Sequence, residues 1–160
     1  MFIAAAGNEG SDSDHSGYFP ADYDLPNILS VTAVDPKVHV LKSSNYGSRT
    51  VRIAAPGEKI LSTAPRGQYA VMTGTSQATA FASGVAALLL GSRSGKMDPE
   101  AVANAVALSG DFQPTLREKT RHQTLLNAKR ALVMHDMATS ATGVVVEPLE
   151  LESRLLDAAL

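Results

Sequence analysis

The sequence contains no cysteine and no tryptophan. The lack of cysteine excludes disulfides, thiolate-bound zinc, iron–sulfur clusters and a cysteine nucleophile within these residues, but it does not identify a cellular compartment. Net charge is also small, because 14 Lys and Arg residues are balanced by 16 Asp and Glu residues. A formal charge of -2 gives no electrostatic reason to expect nucleic acid or an anionic membrane surface as a partner.

Long hydrophobic runs are absent as well. The longest apolar stretch, residues 81–90, is interrupted by Ser83 and Gly84 and is shorter than the roughly 20 residues that span a bilayer. We therefore predict no transmembrane helix. The first residues carry no basic segment of the kind that opens a signal peptide and are unlike one. With 44% hydrophobic and 19% charged residues, the 160-residue chain has the composition of a globular domain.

Short apolar segments bounded by turn residues dominate the first half of the chain. Segments of this kind, rich in β-branched residues and flanked by Gly, Pro, Asn and Asp, predict buried strands. The predicted strands cover residues 1–6, 28–34, 51–55, 60–63 and 69–72.

Helical spacing of apolar residues follows in the second half. The first predicted helix begins at Ser76 and is expected to be buried on most sides. Asp98 and Asn127 are the predicted N-caps of two further helices, which end near residues 110 and 138. The predicted order over residues 1–138 is strands first and helices last. Acidic and leucine-rich residues indicate an acidic tail or the start of a further domain over 139–160.

The segment Gly74-Thr75-Ser76 places a hydroxyl at the start of the first predicted helix. A serine nucleophile in that place would lie at the positive end of the helix dipole, which favours negative charge developing in front of it. The alternative is structural, because Ser and Thr at helix starts commonly act only as N-caps.

The segment Gly7-Asn8-Glu9-Gly10 follows the first predicted strand. An asparagine amide held in a defined place there can donate a hydrogen bond to an oxyanion. The alternative is again structural, because asparagine tolerates the left-handed backbone of a tight turn.

Six segments read in order give a more specific signal than either motif alone. They are AAAGNEG (4–10), FPA (19–21), ILSVTAVD (28–35), SNYG (44–47), IAAPGEKILST (53–63) and GTSQAT (74–79). In this order they resemble the carboxy-terminal part of the catalytic domain of a subtilisin-like serine protease. The resemblance covers residues 2–91 closely and 126–132 more loosely. It implies an α/β fold with a doubly wound, mainly parallel sheet whose amino-terminal strands are missing here.

The resemblance implies roles for individual residues. Ser76 matches the acylated nucleophile, and Asn8 matches the donor to the oxyanion, with the backbone N–H of Ser76 as second donor. The remaining matches are substrate-binding positions: Ala5, Ala6 and Gly7 in the pocket wall, Glu9 at its rim, and Gly74 and Thr75 beside the nucleophile. The implied activity is that of a serine endopeptidase, with a polypeptide substrate and no dissociable cofactor.

Two departures from the family pattern set further expectations. Ala80 and Phe81 stand where the family has a proline and commonly a histidine. The family's Asp-Thr-Gly-like and His-Gly-Thr-His-like motifs, which carry the catalytic aspartate and histidine, do not occur in these residues. The isolated chain is therefore predicted to be inactive, and the upstream part of the same catalytic domain is its expected partner.

The remaining ionisable residues favour ordinary surface roles. None of the four histidines is flanked as a family base would be, so we expect solvated positions for them. Asp12, Asp14 and His15 also favour a solvated loop over a metal site, and no metal ligand set is predicted. A structural cation held by backbone carbonyls near residues 19–23, as in some relatives, is not assignable from side chains. The histidines are His15, His39, His122 and His135.

Two other functions remain as alternatives at this point. In the first, the chain is a non-catalytic remnant or pseudoenzyme that keeps the fold for binding. In the second, it is an unrelated α/β ligand-binding domain. If the longer product follows the family, it is secreted or travels the secretory route; the residues themselves leave the compartment unknown.

Overall fold

The computed structural model describes residues 1–92 and 98–140, with side chains as far as residue 134. The strands are β1 Phe2–Ala5, β2 Ile28–Val34, β3 Ile53–Pro56, β4 Ile60–Ala64, β5 Gln68–Met72, β6 Asp111–Phe112 and β7 Thr124–Leu125. The helices are α1 Thr75–Gly91, α2 Pro99–Leu108 and α3 Ala128–Ser140, with short 3-10 turns at Pro65–Gly67 and Pro114–Leu116.

The main sheet has the order β1-β2-β3-β7-β6. β1, β2, β3 and β7 pair in parallel, and β6 joins β7 in the antiparallel sense. β2 is buried along its whole length, with Leu29, Val31 and Ala33 in the main core. Both faces of the strand are buried, and its two polar residues, Ser30 and Thr32, are buried with the apolar ones. The predicted α/β class with a mainly parallel sheet is confirmed.

Helix α1 packs across β1, β2 and β3. Its buried side includes Ala78, Ala82 and Leu89. The prediction that this helix is buried on most sides is wrong for the described residues, since Phe81 is 44% exposed and Leu88 is 54% exposed. The sheet, α2 and α3 cover one side of α1 and leave the opposite side open.

The expected order of strands first and helices last is also wrong. β6 and β7 lie between α2 and α3, and β7 extends the sheet by pairing Leu125 with Ala54 of β3. Each of these strands has two residues, which is too short for an alternating pattern to show in the sequence.

The predicted N-caps of the last two helices are confirmed. Asp98 accepts a hydrogen bond from the backbone N–H of Ala101 at 3.2 Å, and Pro99 begins the helix. Asn127 Oδ1 accepts from the N–H of Arg130 at 2.9 Å. Each cap satisfies an N–H group that has no partner within its own helix.

No helix within residues 1–92 and 98–140 combines the length and hydropathy needed to cross a membrane. The acidic tail predicted for 139–160 lies outside the described residues from 141 onward. The division at residue 138 therefore stays a prediction.

Candidate active site

The carboxyl ends of β1 and β3 meet the amino end of α1. The backbone N–H of Gly74, just before α1, donates to the carbonyl of Gly57, just after β3, at 2.9 Å. A Cβ on Gly57 would lie 2.9 Å from the carbonyl oxygen of Gly74, so this close approach requires glycine. Ligands of parallel α/β sheets bind at this end of the strands.

Ser76 is the second residue of α1, and it is exposed. The N-cap position belongs to Gly74, which has no side chain to cap the helix, and neither Thr75 nor Ser76 takes that position. The alternative that Thr75 or Ser76 is merely the N-cap is therefore wrong. The Ser76 hydroxyl lies in the first turn, where the helix dipole favours negative charge.

The side chain of Asn8 is tied to the start of α1. Its Oδ1 accepts from the backbone N–H of Thr75 at 2.9 Å and from the Thr75 hydroxyl at 3.1 Å. Because the backbone N–H can only donate, it fixes which end of the amide is oxygen. The amide nitrogen of Asn8 remains as a donor next to the residue that precedes Ser76.

The alternative explanation of Asn8 as a left-handed turn residue is also wrong. Positive φ angles occur at its neighbours, 106° at Gly7 and 66° at Gly10, and not at Asn8 itself. The two glycines adopt the positive φ angles that the turn requires, so Asn8 does not need an unfavourable backbone conformation.

A cavity of about 290 Å³ opens beside Ser76. It lies between the β4–β5 hairpin and the first two turns of α1. Its other lining residues are Ile60, Leu61, Ser62, Gln77, Ala80 and Phe81. Ala80 and Phe81, the two departures from the family pattern, thus line the space next to the serine.

Four of the residues predicted to bind substrate lie close together in the chain, from the last residue of β1 to Glu9. Ala6 and Gly7 are buried, Ala5 is half-buried, and Glu9 is exposed. Glu9 Oε2 accepts from the side-chain amide of Asn45 at 2.8 Å. A Cβ on Gly7 would collide with that amide, so Gly7 is required for the approach.

Gly74 and Thr75, the other predicted substrate-binding positions, lie against Asn8. A Cβ on Gly74 would come 3.2 Å from Asn8 Oδ1, so the position next to Thr75 leaves little room for a larger side chain. Asn45, in contrast, has no assigned role in the sequence-based interpretation. Its only signal there is its place in the matched SNYG segment.

Two histidines pair with carboxylates on the surface. His15 Nδ1 lies 3.2 Å from an Asp12 carboxylate oxygen, and His39 Nδ1 lies 3.6 Å from one of Asp35. Both imidazoles are more than half exposed, as predicted. Within the described residues neither is hydrogen-bonded to Ser76.

His122 departs from the expected solvated position. It is half-buried, and burial, together with the nearby charges of Arg52 and Arg121, lowers its pKa to about 4. His122 is therefore neutral at neutral pH, with a buried Nε2 that has no hydrogen-bond partner in the described structure. The side chain of His135 lies outside the described residues.

Asp14 joins two loops. Its Oδ1 accepts from the N–H and hydroxyl of Thr50 at 3.0 and 2.9 Å and from the N–H of Arg49 at 3.0 Å, and its Oδ2 accepts from the Ser48 hydroxyl at 3.0 Å. Partial burial alone would raise the pKa of Asp14, but these hydrogen bonds outweigh it and lower the pKa. In the part of the chain that the structure describes, no three acidic or histidine side chains group as metal ligands.

We expect Asp14→Asn to lower the free energy of unfolding by about 1–3 kcal/mol at neutral pH, because an amide NH₂ would point at hydrogen-bond donors. The carboxylate stabilises the fold above its unfolded-state pKa of about 3.9, and this contribution disappears as the pH falls through the lower folded-state pKa. Denaturant unfolding of the natural gene product, with and without the substitution, measures the difference in free energy of unfolding between the two proteins. We expect this difference, the stability gap, to become smaller in acid. A gap independent of pH would contradict this role for Asp14.

The fold places the chain in a class of proteins, the α/β domains of subtilisin-like type. A solved structure of subtilase cytotoxin SubAB matches 88% of this chain with a TM-score of 0.76 and 26% sequence identity. The match covers 51% of the cytotoxin chain.

The subtilase family model, peptidase S8, matches residues 1–141. The chain therefore belongs to the subtilase family, and the resemblance found in the sequence is confirmed. "Subtilisin-like protease 2" of Plasmodium falciparum is 40% identical over 89 residues, which are 56% of this chain and 7% of that protein. Thermitase of Thermoactinomyces vulgaris is 42% identical over 89 residues, 56% of this chain and 30% of that enzyme. The chain thus spans a minor part of the length of these two relatives.

Proposed function

We propose that this chain carries the nucleophile and the oxyanion donor of a serine endopeptidase. The observation that supports the proposal best is the pairing of Asn8 Oδ1 with Thr75, since it leaves the Asn8 amide nitrogen as a donor at the end of α1 that bears Ser76. Family membership supports hydrolysis of peptide bonds as the reaction and polypeptides as the substrate class.

In the proposed reaction the Ser76 oxygen attacks the carbonyl carbon of a peptide bond. A general base takes the hydroxyl proton, and the carbonyl electron pair moves to oxygen, where the Asn8 amide and the Ser76 N–H donate to it. Collapse of this intermediate breaks the C–N bond as the amine leaves with the proton. Water then repeats the sequence on the acyl group, and Ser76 is restored.

The general base and its orienting carboxylate are proposed to come from the upstream part of the same catalytic domain. His15 and His39 pair with surface carboxylates. The half-buried ring of His122 lies near two arginines, and its Nε2 has no hydrogen-bond partner in the described structure. Without a base near Ser76 the hydroxyl proton has no acceptor. The proposed reaction needs no dissociable cofactor.

A fluorophosphonate probe tests this proposal, because it forms a covalent bond with a serine only where a base activates the hydroxyl. We expect the natural gene product to be labelled at Ser76. We expect a protein made only of these 160 residues to remain unlabelled and to hydrolyse no peptide substrate.

Two results would overturn the proposal in different ways. A folded gene product that resists the probe would favour the non-catalytic remnant that keeps the fold for binding. Labelling of the 160-residue protein at Ser76 would show that the base lies among these residues. Peptide mapping of the labelled site separates Ser76 from the other serines.

A further inference from the structure

Asn45 is a polar side chain enclosed in the core. It is 1% exposed, yet every hydrogen-bonding atom of its amide has a partner in the segment that follows β1. Its Oδ1 accepts from the N–H of Glu9 at 3.0 Å and from the N–H and hydroxyl of Ser11, each at 3.1 Å. Its Nδ2 donates to the carbonyl of Ala6 at 2.9 Å and to Glu9 Oε2 at 2.8 Å.

These partners lie on both sides of Asn8 in the chain. Asn45 holds Ala6 before it and Glu9 after it, and the backbone N–H of Asn45 also donates to the carbonyl of Gly7 at 2.9 Å. Three neighbours of Asn8 in the chain, two before it and one after it, are thus hydrogen-bonded through their main chain to one residue.

Asn45 is in turn attached to the sheet. Its carbonyl accepts from the hydroxyl of Thr32 at 2.7 Å, and Thr32 is a fully buried residue of β2. The Ser44 hydroxyl donates to the same carbonyl at 3.2 Å and lies 2.7 Å from the Thr32 hydroxyl. The turn around Asn8 is therefore connected through Asn45 to the rigid centre of the fold.

We propose that Asn45 is a positioning residue that sets the place of the Asn8 amide in the oxyanion site; this rests on the proposed function. Thr75, in α1, is hydrogen-bonded to the side chain of Asn8. Asn45, which is attached to the sheet, is hydrogen-bonded to the main chain on either side of Asn8. An oxyanion donor acts only when it lies within about 2.7–3.1 Å of the developing charge, so a loosened turn costs rate even though Asn8 is intact.

The first test is Asn45→Asp in the natural gene product. The replacement keeps the shape and the acceptor oxygen, but Ala6 loses its donor and Glu9 gains a like-charged neighbour. We expect kcat for a peptide substrate to fall about 10- to 100-fold with KM nearly unchanged, which is less than the loss of about 10²–10³ known for removal of such a donor in a subtilisin. Asn45→Ser removes the amide NH₂ that donates to Ala6 and Glu9 without adding charge, and it should also lower kcat.

A double-mutant cycle separates positioning from general destabilisation. If Asn45 acts through Asn8, then Asn45→Asp should change kcat by less than about 3-fold in an Asn8→Ala background, because the coupled effects are not additive. An equal loss of kcat in both backgrounds would overturn the proposal. Thr124→Val is the matched control: it removes another buried hydrogen bond, from the Thr124 hydroxyl to the Ala107 carbonyl at 2.9 Å, and should leave kcat unchanged.

Amide hydrogen exchange tests the same hydrogen bonds in the absence of substrate, so it does not depend on catalysis. We expect exchange at Glu9 and Ser11 to accelerate at least about 10-fold in Asn45→Ala, which removes the oxygen that accepts from both N–H groups, and to stay unchanged in Thr124→Val, since exchange reports local opening. Unchanged exchange at both amides would overturn the positioning role by itself. Hydrolysis that persists in Ser76→Ala would instead refute the proposed function, so the two failures are distinguishable.

Discussion

Ser76→Ala in the natural gene product is expected to abolish peptide hydrolysis, with kcat reduced by about 10⁶-fold, the size known for loss of the nucleophile in a subtilisin and carried over from it. The reason is chemical, because alanine has no oxygen to form the acyl intermediate. Ser76 is exposed and makes no side-chain hydrogen bond in the described structure, so its removal should leave folding intact. Steady-state hydrolysis of a chromogenic peptide measures the effect.

The matched control for this experiment is Ser83→Ala on the same helix. The Ser83 hydroxyl donates to the carbonyl of Thr79 at 2.9 Å and is exposed, so its loss removes one local hydrogen bond. Activity of this variant should match that of the wild type. Equal hydrolysis by the wild type and Ser76→Ala, with folding verified by circular dichroism, would refute Ser76 as the nucleophile.

Asn8→Ala carries the second largest expected effect. We expect kcat to fall by about 10²–10³, as known for the corresponding loss in a subtilisin, with KM within about 3-fold, because in the proposed reaction the amide donates mainly to charge that develops in the transition state. Stopped-time assays over a range of substrate concentrations separate kcat from KM. Asn27→Ala, in the exposed loop before β2, is the matched control and should be neutral.

Asn8→Asp separates the contact with Thr75, which the structure shows, from the proposed donation to the oxyanion. A carboxylate still accepts from the N–H and hydroxyl of Thr75, but it has no proton to donate and repels an oxyanion. We therefore expect Asn8→Asp to be at least as impaired as Asn8→Ala. Near-normal kcat in Asn8→Asp would mean that Asn8 serves only to anchor Thr75.

Local chemistry made several elements predictable. β2 matches its predicted limits at residues 28–34, because a short segment rich in β-branched residues and bounded by turn residues favours a strand. The starts of α2 and α3 were predictable from Asp98 and Asn127, since a capping side chain acts on a backbone group only a few residues away. These signals are short in range, and the sequence therefore carries them directly.

Other features had no such local signal. β6 and β7 are two residues each, and β7 exists because Leu125 comes to lie beside Ala54, far away in the sequence. The exposed side of α1 follows from which elements cover it, and no property of its own residues reveals that. Periodicity shows that a face is apolar, whereas burial depends on what packs against it.

The sequence alone determined the family, the order of its motifs and the identity of the two residues on which the proposed chemistry depends, Ser76 and Asn8. Tertiary structure decided how they are held. Thr75 orients the Asn8 amide by donating to its Oδ1, and Gly57 allows Gly74 to approach closely enough for a hydrogen bond. Asn45 connects the turn around Asn8 to β2, because its carbonyl accepts from Thr32. The physical reason is that residue types specify which groups react, while hydrogen bonds between distant segments specify where those groups lie.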